Sequence, residues 1–155
     1  MACAAWALGD SEVDLVDSSV PWSGLAASGE DVVLHDSLCP MTPPDFIRAC
    51  VERARETGRP VVGVRPVTDT VKGLSDGFVT DTVDREALIA VASPLVIPAA
   101  VAAGIERPSD DLARAVADLV AAGHPVETVP APPQARRLSS VEGVRLLEAL
   151  TDPRG

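Results

Sequence analysis

The sequence has 155 residues, 46% of them hydrophobic and only 3% aromatic, so we expect one folded domain with a small-residue, aliphatic core. Its net charge of −10 opposes binding to nucleic acids and to anionic membranes. No apolar run is long enough to span a bilayer, the N-terminus lacks a basic region, and the three cysteines show no C-x-x-C spacing, so we predict a cytoplasmic protein with free thiols.

Residues 1–30 form a divergent N-terminal segment with weak structural signals. Glu12 to Asp17 alternates acidic and apolar residues, as an edge strand with one solvated face does. A short helix is predicted from Trp22 to Ala27. Val32 to Leu34 then predicts a buried strand, because β-branched residues run together and a loop follows.

A strand–helix–strand unit is predicted next. Thr42 is the expected N-cap of a helix that begins with proline and ends at Gly58. Pro60 to Val64 is the following buried strand, and a unit of this size forms a right-handed crossover between parallel strands. The apolar stripe of the helix consists of Phe46, Ile47, Cys50, Val51 and Ala54.

The next segment predicts a β-arm at about residues 66–88. Period-2 alternation surrounds the turn signal Ser75-Asp76-Gly77. Because a lone hairpin is marginally stable in water, we expect the arm to pack on a partner. Leu88 to Val96 returns to the sheet or lies across it.

Two helices and one strand complete the predicted domain, which spans residues 1–155. Ser109 is the expected cap of a helix that ends at Gly123, and Val126 to Val129 is a short strand. Ser139 and Glu142 form a capping box for the last helix. The alternation of strands and helices indicates an α/β protein.

Several segments, in order, resemble the 2-C-methyl-D-erythritol 4-phosphate cytidylyltransferase family of the non-mevalonate isoprenoid pathway. The principal ones are HDSLCP at 35–40, PVTDTVK at 66–72 and TVDREAL at 82–88. Weaker matches are Ala92-Ser93-Pro94, Ser109-Asp110-Asp111 and Arg136-Arg137-Leu138-Ser139, so the resemblance covers roughly residues 22–150. It implies a truncated, doubly wound, mostly parallel sheet of the Rossmann-like nucleotidyltransferase type, with a protruding β-hairpin arm. We expect a homodimer through that arm.

The resemblance also implies Mg²⁺-dependent transfer of a cytidylyl group from CTP to a sugar-alcohol phosphate, with release of pyrophosphate. Catalysis of this kind consists mostly of positioning and charge neutralisation. In the family, a Gly-rich loop with Arg and Lys wraps the triphosphate. This sequence contains no G-x-G, and its first 47 residues include eight acidic residues but no Lys or Arg. Unaided CTP chemistry is therefore not expected, and Mg²⁺ is expected only if the chain is catalytic.

Two acidic residues are candidate metal ligands. Asp36 matches the family's metal-binding aspartate at the end of a strand; the alternative is a loop acid that caps a turn. Asp110 is a second candidate, although acids at a helix N-terminus ordinarily interact with the helix dipole. Cys39 replaces a family arginine, and we interpret it as a small, partly buried hydrophobic residue rather than a nucleophile. We assign His35 no catalytic role.

Thr70, Arg85 and Arg137 are the candidate catalytic and substrate-phosphate residues. The resemblance implies that Thr70, Lys72 and Arg85 contact the methylerythritol phosphate of a neighbouring subunit. A guanidinium suits phosphate, but Arg85 can equally pair with an acid of the arm. Arg137 stands where the family has a substrate-facing lysine.

Three functions stay open at this point. One is a non-catalytic family member (a pseudoenzyme) that binds a protein partner or a small phosphate through Arg85 and Arg137, in a regulatory or assembly role. Another is an active cytidylyltransferase with a rebuilt or partner-supplied nucleotide site. The third is a degenerate fragment, which should melt broadly. The arm motifs without a triphosphate loop favour the first function over an enzymatic one.

Overall fold

The computed structural model describes Asp14, Val16, residues 19–66, 72–75, 78–82 and 89–138, and Arg145. Within them we number helices and strands separately in chain order. The helices are α1 (Trp22–Ala27), α2 (Pro44–Thr57), α3 (Ala99–Ala102) and α4 (Leu112–Ala121), with a short 3₁₀ helix at Pro133–Ala135. The strands are β1 (Val32–Leu34), β2 (Val61–Pro66), β3 (Lys72–Ser75), β4 (Phe78–Thr82), β5 (Ile89–Ile97) and β6 (Glu127–Pro130).

Four of the described strands form one open sheet in the order β1-β5-β2-β6. Strand β5 is antiparallel to both neighbours, whereas β2 and β6 are parallel. Strands β1, β2 and β6 therefore point in the same direction, but two of the three pairings are antiparallel, so the described sheet is mixed. The predicted crossover differs in one respect: β1 and β2 are parallel but not adjacent, because β5 lies between them. The position of β5 between β1 and β2 depends on strand pairing between distant parts of the chain, which local sequence patterns do not determine.

Both faces of the sheet carry a hydrophobic cluster. Val62 and Leu95 belong to one cluster, which includes Leu119 of α4. Their chain neighbours Val61 and Val96 belong to the other, which includes Cys50 and Ala54 of α2. Successive residues of a strand face opposite sides, so each strand contributes to both layers. Helices cover both faces, which confirms the doubly wound arrangement.

Helix α2 has the predicted extent but a different N-cap. Pro43 occupies the cap position, and no side chain caps the helix there. Thr42 is buried, and its hydroxyl donates to the carbonyl oxygen of Cys39 at 2.9 Å. The hydroxyl is used in the preceding loop, so the prediction of Thr42 as N-cap was wrong. Gly58 ends the helix with a φ of 65°, the left-handed conformation that glycine adopts without strain.

Helix α4 is likewise capped by a different residue from the one predicted. The Asp111 carboxylate accepts from the backbone N–H of Arg114 at 2.9 Å, which is the bond that defines an N-cap. Ser109 lies two residues earlier, and its hydroxyl oxygen accepts from the N–H of Asp111 at 3.2 Å. Ser109 therefore supports the capping residue rather than acting as one. Gly123 follows the helix with a φ of 87°.

The predicted hairpin is present as a separate two-stranded sheet, in which β3 and β4 pair antiparallel. Its turn at 76–77, the candidates Thr70 and Arg85, and the capping box of Ser139 and Glu142 lie outside the described residues. Most of the predicted edge strand at 12–17 does too. Among the helices that the structure describes, none is both long and apolar enough to cross a membrane.

Candidate functional site

Charged residues gather where the parallel strands end. Asp36 follows β1, Arg65 is the penultimate residue of β2, and Arg137 follows β6 and the 3₁₀ helix. In open α/β sheets, ligand sites form outside the carboxyl ends of strands. The fold therefore places one acidic and two basic side chains at the edge where a site is expected.

Asp36 is bonded through its backbone and through both carboxylate oxygens. Its N–H donates to the Ser93 hydroxyl oxygen at 3.1 Å. Oδ1 accepts from the backbone N–H of Leu38 at 2.9 Å, and Oδ2 accepts from Nε of Arg137 at 2.7 Å. The bond to Leu38 is the turn-forming bond that aspartate favours. Asp36 therefore caps a turn, as the alternative interpretation of the sequence held.

Arg137 is fixed at the backbone as well as at the side chain. The N–H of Leu138 donates to the carbonyl oxygen of Leu38 at 2.8 Å, which ties the segment after the 3₁₀ helix to the Asp36 loop. The Arg137 side chain is 61% exposed, against 23% for Asp36. The hydrogen bond to Asp36 and the charge of that carboxylate raise the pKa of Arg137.

Ser93 and His35 form a hydrogen-bonded pair next to the Asp36 loop. Ser93 is buried in β5, and its hydroxyl lies 2.6 Å from Nδ1 of His35. Burial lowers the pKa of His35, opposed by the Asp36 charge and by a backbone hydrogen bond at Cys39. The neutral imidazole is thus favoured. Nε2 of His35 is buried without a hydrogen-bond partner among the described residues.

Cys39 lies beneath the charged cluster and is 1% exposed, so it is more fully buried than predicted. Burial and the Asp36 charge raise the pKa of its thiol, while a backbone hydrogen bond at Ser93 and the charges of Arg137 and Arg65 oppose the rise. A buried, protonated thiol is a poor nucleophile, which supports the structural role expected for this residue.

A groove of about 480 Å³ runs past β1. Its walls include apolar residues of α1 and β1, and its charged residues are Asp36, Asp110 and Arg107. Arg107 pairs with Asp110 at 3.0 Å. Within the described chain, the only arginine of the groove is therefore already paired, and the groove offers little positive charge to a polyphosphate.

The sequence predicted some members of the cluster and missed others. The structure brings Asp36 and Arg137 together, and it places Asp110 on the same groove as Asp36. Arg65 and Ser93 were missed as site residues. Two features of the sequence could have indicated them: Arg65 is an arginine at the end of an otherwise apolar strand, and Ser93 is a hydroxyl residue inside the apolar run of β5.

The described cluster offers magnesium, which the resemblance implies, one carboxylate, that of Asp36, which already pairs with Arg137. Mg²⁺ takes oxygen ligands and usually shares them with substrate phosphates. Both carboxylate oxygens of Asp36 already accept from protein donors, one of them a cation. Among the described residues, no group of three or more His, Cys, Asp or Glu side chains could hold a metal ion.

The doubly covered open sheet with a charged cluster at its strand ends defines an α/β protein of the nucleotidyltransferase type. The family model described as IspD, 2-C-methyl-D-erythritol 4-phosphate cytidylyltransferase, matches residues 11–149. The chain belongs to this family of isoprenoid biosynthesis.

Curated relatives and a solved structure agree with this assignment. The 2-C-methyl-D-erythritol 4-phosphate cytidylyltransferase of Nocardia farcinica is 39% identical over 140 residues, which is 85% of this chain and 59% of the relative. That of Saccharopolyspora erythraea is 34% identical over 121 residues, covering 77% of this chain and 54% of the relative. The crystal structure of the Thermus thermophilus protein of the same name superposes with a TM-score of 0.62 at 29% identity, covering 81% of this chain and 64% of the other. The chain thus spans between half and two thirds of the length of these relatives.

Proposed function

We propose that this chain is a non-catalytic member of the cytidylyltransferase family that binds a phosphate group and serves a regulatory or assembly role. The observation that carries the proposal is the ion pair between Asp36 and Arg137, at 2.7 Å. It joins the residue that matches the family's metal ligand to a cation of the same chain.

The state of Asp36 argues against nucleotide chemistry. A magnesium ion that Asp36 shared with a nucleotide would have to compete with the Arg137 guanidinium for the carboxylate. Here one oxygen holds the loop through Leu38 and the other holds Arg137. The charges along the groove support the same conclusion, because Arg107 is neutralised by Asp110.

The arginines favour a phosphate ligand over a neutral one. Arg137 is more than half exposed, and a guanidinium can bind a phosphate through two parallel N–H···O bonds. The charge of Arg65, like that of Arg137, opposes the rise in the pKa of the Cys39 thiol, and Arg65 donates to the Pro133 carbonyl oxygen at 3.1 Å. A phosphate at this edge would therefore face two cations. We predict that Arg85 of the arm is a third cation that contacts this phosphate.

A turnover assay tests the proposal directly. We expect no release of pyrophosphate from CTP, methylerythritol phosphate and Mg²⁺, and no micromolar binding of CTP by calorimetry. The Thermus thermophilus protein is the positive control. Turnover above the blank, or micromolar affinity for CTP with Mg²⁺, would overturn the non-catalytic assignment and favour the enzyme.

The assembly role is tested by the mass of the particle in solution. We expect a homodimer through the β3–β4 hairpin, because an isolated two-stranded hairpin is marginally stable in water. Size-exclusion chromatography with light scattering should give twice the 16.0 kDa of one chain. A monomer at all concentrations would contradict this prediction.

A further inference from the structure

A second groove lies between α4 and the loop that joins α3 to α4, and we call it the α4 groove. It encloses about 400 Å³, which is within the range of small-molecule sites. Its walls are loop residues 104–108, one face of α4 and His124. Asp36, Arg65 and Arg137 are not among the residues that line it. The α4 groove is therefore separate from the charged cluster at the strand ends.

Hydrogen bonds hold both walls of the α4 groove. The Trp22 indole N–H donates to the carbonyl oxygen of Ile105 at 3.1 Å, which ties the loop to α1. Gly123 follows α4 in the left-handed conformation, and the N–H of His124 donates back to the carbonyl oxygen of Leu119 at 3.0 Å. Because both walls are fixed in the folded chain, a ligand does not have to order them on binding.

Most of the groove lining is apolar. Ile105 and Leu119 supply branched side chains, whereas Gly104, Ala115 and Ala122 have little or no side chain. These small residues leave the space that the groove occupies. An apolar body of about one ring would therefore bury its surface against the branched side chains.

The charged groups of the lining favour a cation over an anion. Arg107 is already paired with Asp110 at 3.0 Å, and Asp118 pairs with an arginine of its own helix at 3.1 Å. Within the described part of the chain, the side chains of Glu106 and His124 have no hydrogen-bond or ion-pair partner. The groove thus offers a ligand one unpaired carboxylate, in a chain whose net charge of −10 attracts cations.

We propose that the α4 groove binds a small organic cation, a primary amine with an apolar body. An ammonium group donates three N–H bonds, for which the Glu106 carboxylate and a ring nitrogen of neutral His124 are acceptors. The apolar body lies against Ile105 and Leu119. The site does not depend on the phosphate ligand proposed for Arg137.

The test compares benzylamine with benzyl alcohol, its uncharged counterpart. Each probe is titrated into the full chain at fixed ionic strength and about pH 8, where a histidine ring is ordinarily neutral. We expect benzylamine to shift the amide NMR signals of Ile105 and His124 with millimolar affinity. Benzyl alcohol should bind about two- to fivefold more weakly, the range that an exposed ion pair supports.

Two variants with matched controls locate the site. Glu106→Gln should weaken benzylamine binding about two- to fivefold and leave benzyl alcohol binding unchanged. Glu52→Gln makes the same change of charge at an exposed position on α2, across the sheet, and should alter neither affinity. Ala122→Leu fills the groove and should abolish binding of both probes. Ala121→Leu, at the neighbouring exposed position outside the lining, should not.

Each outcome either supports or overturns the inference. Equal affinity for the two probes, or unchanged benzylamine affinity in Glu106→Gln, overturns recognition of a cation. Binding that survives in Ala122→Leu, or no amide shift up to the solubility limit of benzylamine, overturns the site. If Ala122→Leu does not fold, Glu106→Gln decides, because its binding of benzyl alcohol shows that it is folded. Phosphate binding and CTP turnover test the proposed function separately.

Discussion

Strand β5 and the loop that follows β1 are held by opposite kinds of interaction. Leu95, Val96 and Ile97 of β5 have no exposed surface, and apolar packing on both faces of the sheet fixes them. Asp36 and Arg137 are partly or largely exposed and meet through charge. The buried strands therefore determine where the site lies, while the exposed side chains determine what it binds. Changes in β5 should alter stability, and changes in the ion pair should alter binding.

The largest effect is expected from Leu95→Ala. Leu95 lies between Leu34 of β1 and Val62 of β2 in the sheet and is 0% exposed. Removing its side chain should lower the free energy of unfolding by about 2–5 kcal/mol, because burial is lost and a cavity stays. Denaturant titration measures the change. Val120→Ala is the control: Val120 is 55% exposed, so a loss above about 0.5 kcal/mol there would contradict the contrast between core and surface.

Gly63→Ala should have the next largest effect, because the backbone of β5 approaches Gly63 closely. An added Cβ would lie 3.2 Å from Phe46 Cε1 and 3.2 Å from the Ser93 carbonyl oxygen. We expect a loss of about 1–3 kcal/mol by denaturant titration, since a strand backbone gives way less easily than a side chain. Gly24→Ala in α1, where nothing lies within 4 Å, should be neutral or stabilising. Equal effects of the two substitutions would show that crowding at β5 is not the cause.

Ser93→Ala connects the two regions, because Ser93 belongs to β5 and bonds the loop. The substitution removes the acceptor of the Asp36 N–H and the partner of His35 Nδ1. We expect a loss of about 1–3 kcal/mol, the effect of leaving buried polar groups without partners. Amide exchange at Asp36 should accelerate as well. Ser28→Ala serves as the control for loss of hydroxyl hydrogen bonds at an exposed position, since the Ser28 hydroxyl bonds the Leu25 carbonyl oxygen and the Glu30 N–H.

A smaller change in stability is expected when the pH is lowered, because the pKa of His35 differs between the folded and unfolded chain. Burial holds the pKa of His35 below its ordinary value of 6.5, so the unfolded chain takes up a proton at a higher pH than the folded chain does. Stability from this residue is complete above pH 6.5 and declines as the pH falls towards the lowered pKa. Unfolding measured between pH 5 and 8 should show this decline in the wild type, and His35→Gln should reduce it. An identical slope in both proteins would contradict the assignment.

The smallest effect on stability is expected from Arg137→Gln. The guanidinium is largely exposed, and isolated surface ion pairs contribute little to folding. The midpoint of thermal unfolding should stay within experimental error of the wild type, although phosphate binding is lost. A marked drop in the midpoint would make Arg137 a structural residue and remove the contrast with β5.

Local patterns predicted most of the secondary structure. Helix α2 follows from its apolar stripe and from Gly58, and the strand at Pro60 to Val64 follows from its β-branched run. The caps were less predictable, since Thr42 and Ser109 both precede helices but their hydroxyl groups are used elsewhere. Several polar residues before a helix can cap it, and the path of the loop selects among them.

By itself the sequence determined the class of fold, the family, the acid at the end of β1, and several of the described elements, among them β1, α2 and β2. Only the tertiary structure decided that β5 separates β1 from β2, that Ser93 holds the Asp36 loop, and that Arg137 neutralises Asp36 across 101 residues. The physical reason is the distance along the chain over which each kind of interaction acts. Periodicity and turn chemistry act between residues a few positions apart, whereas a hydrogen bond between distant segments depends on how the whole sheet brings its strand ends together.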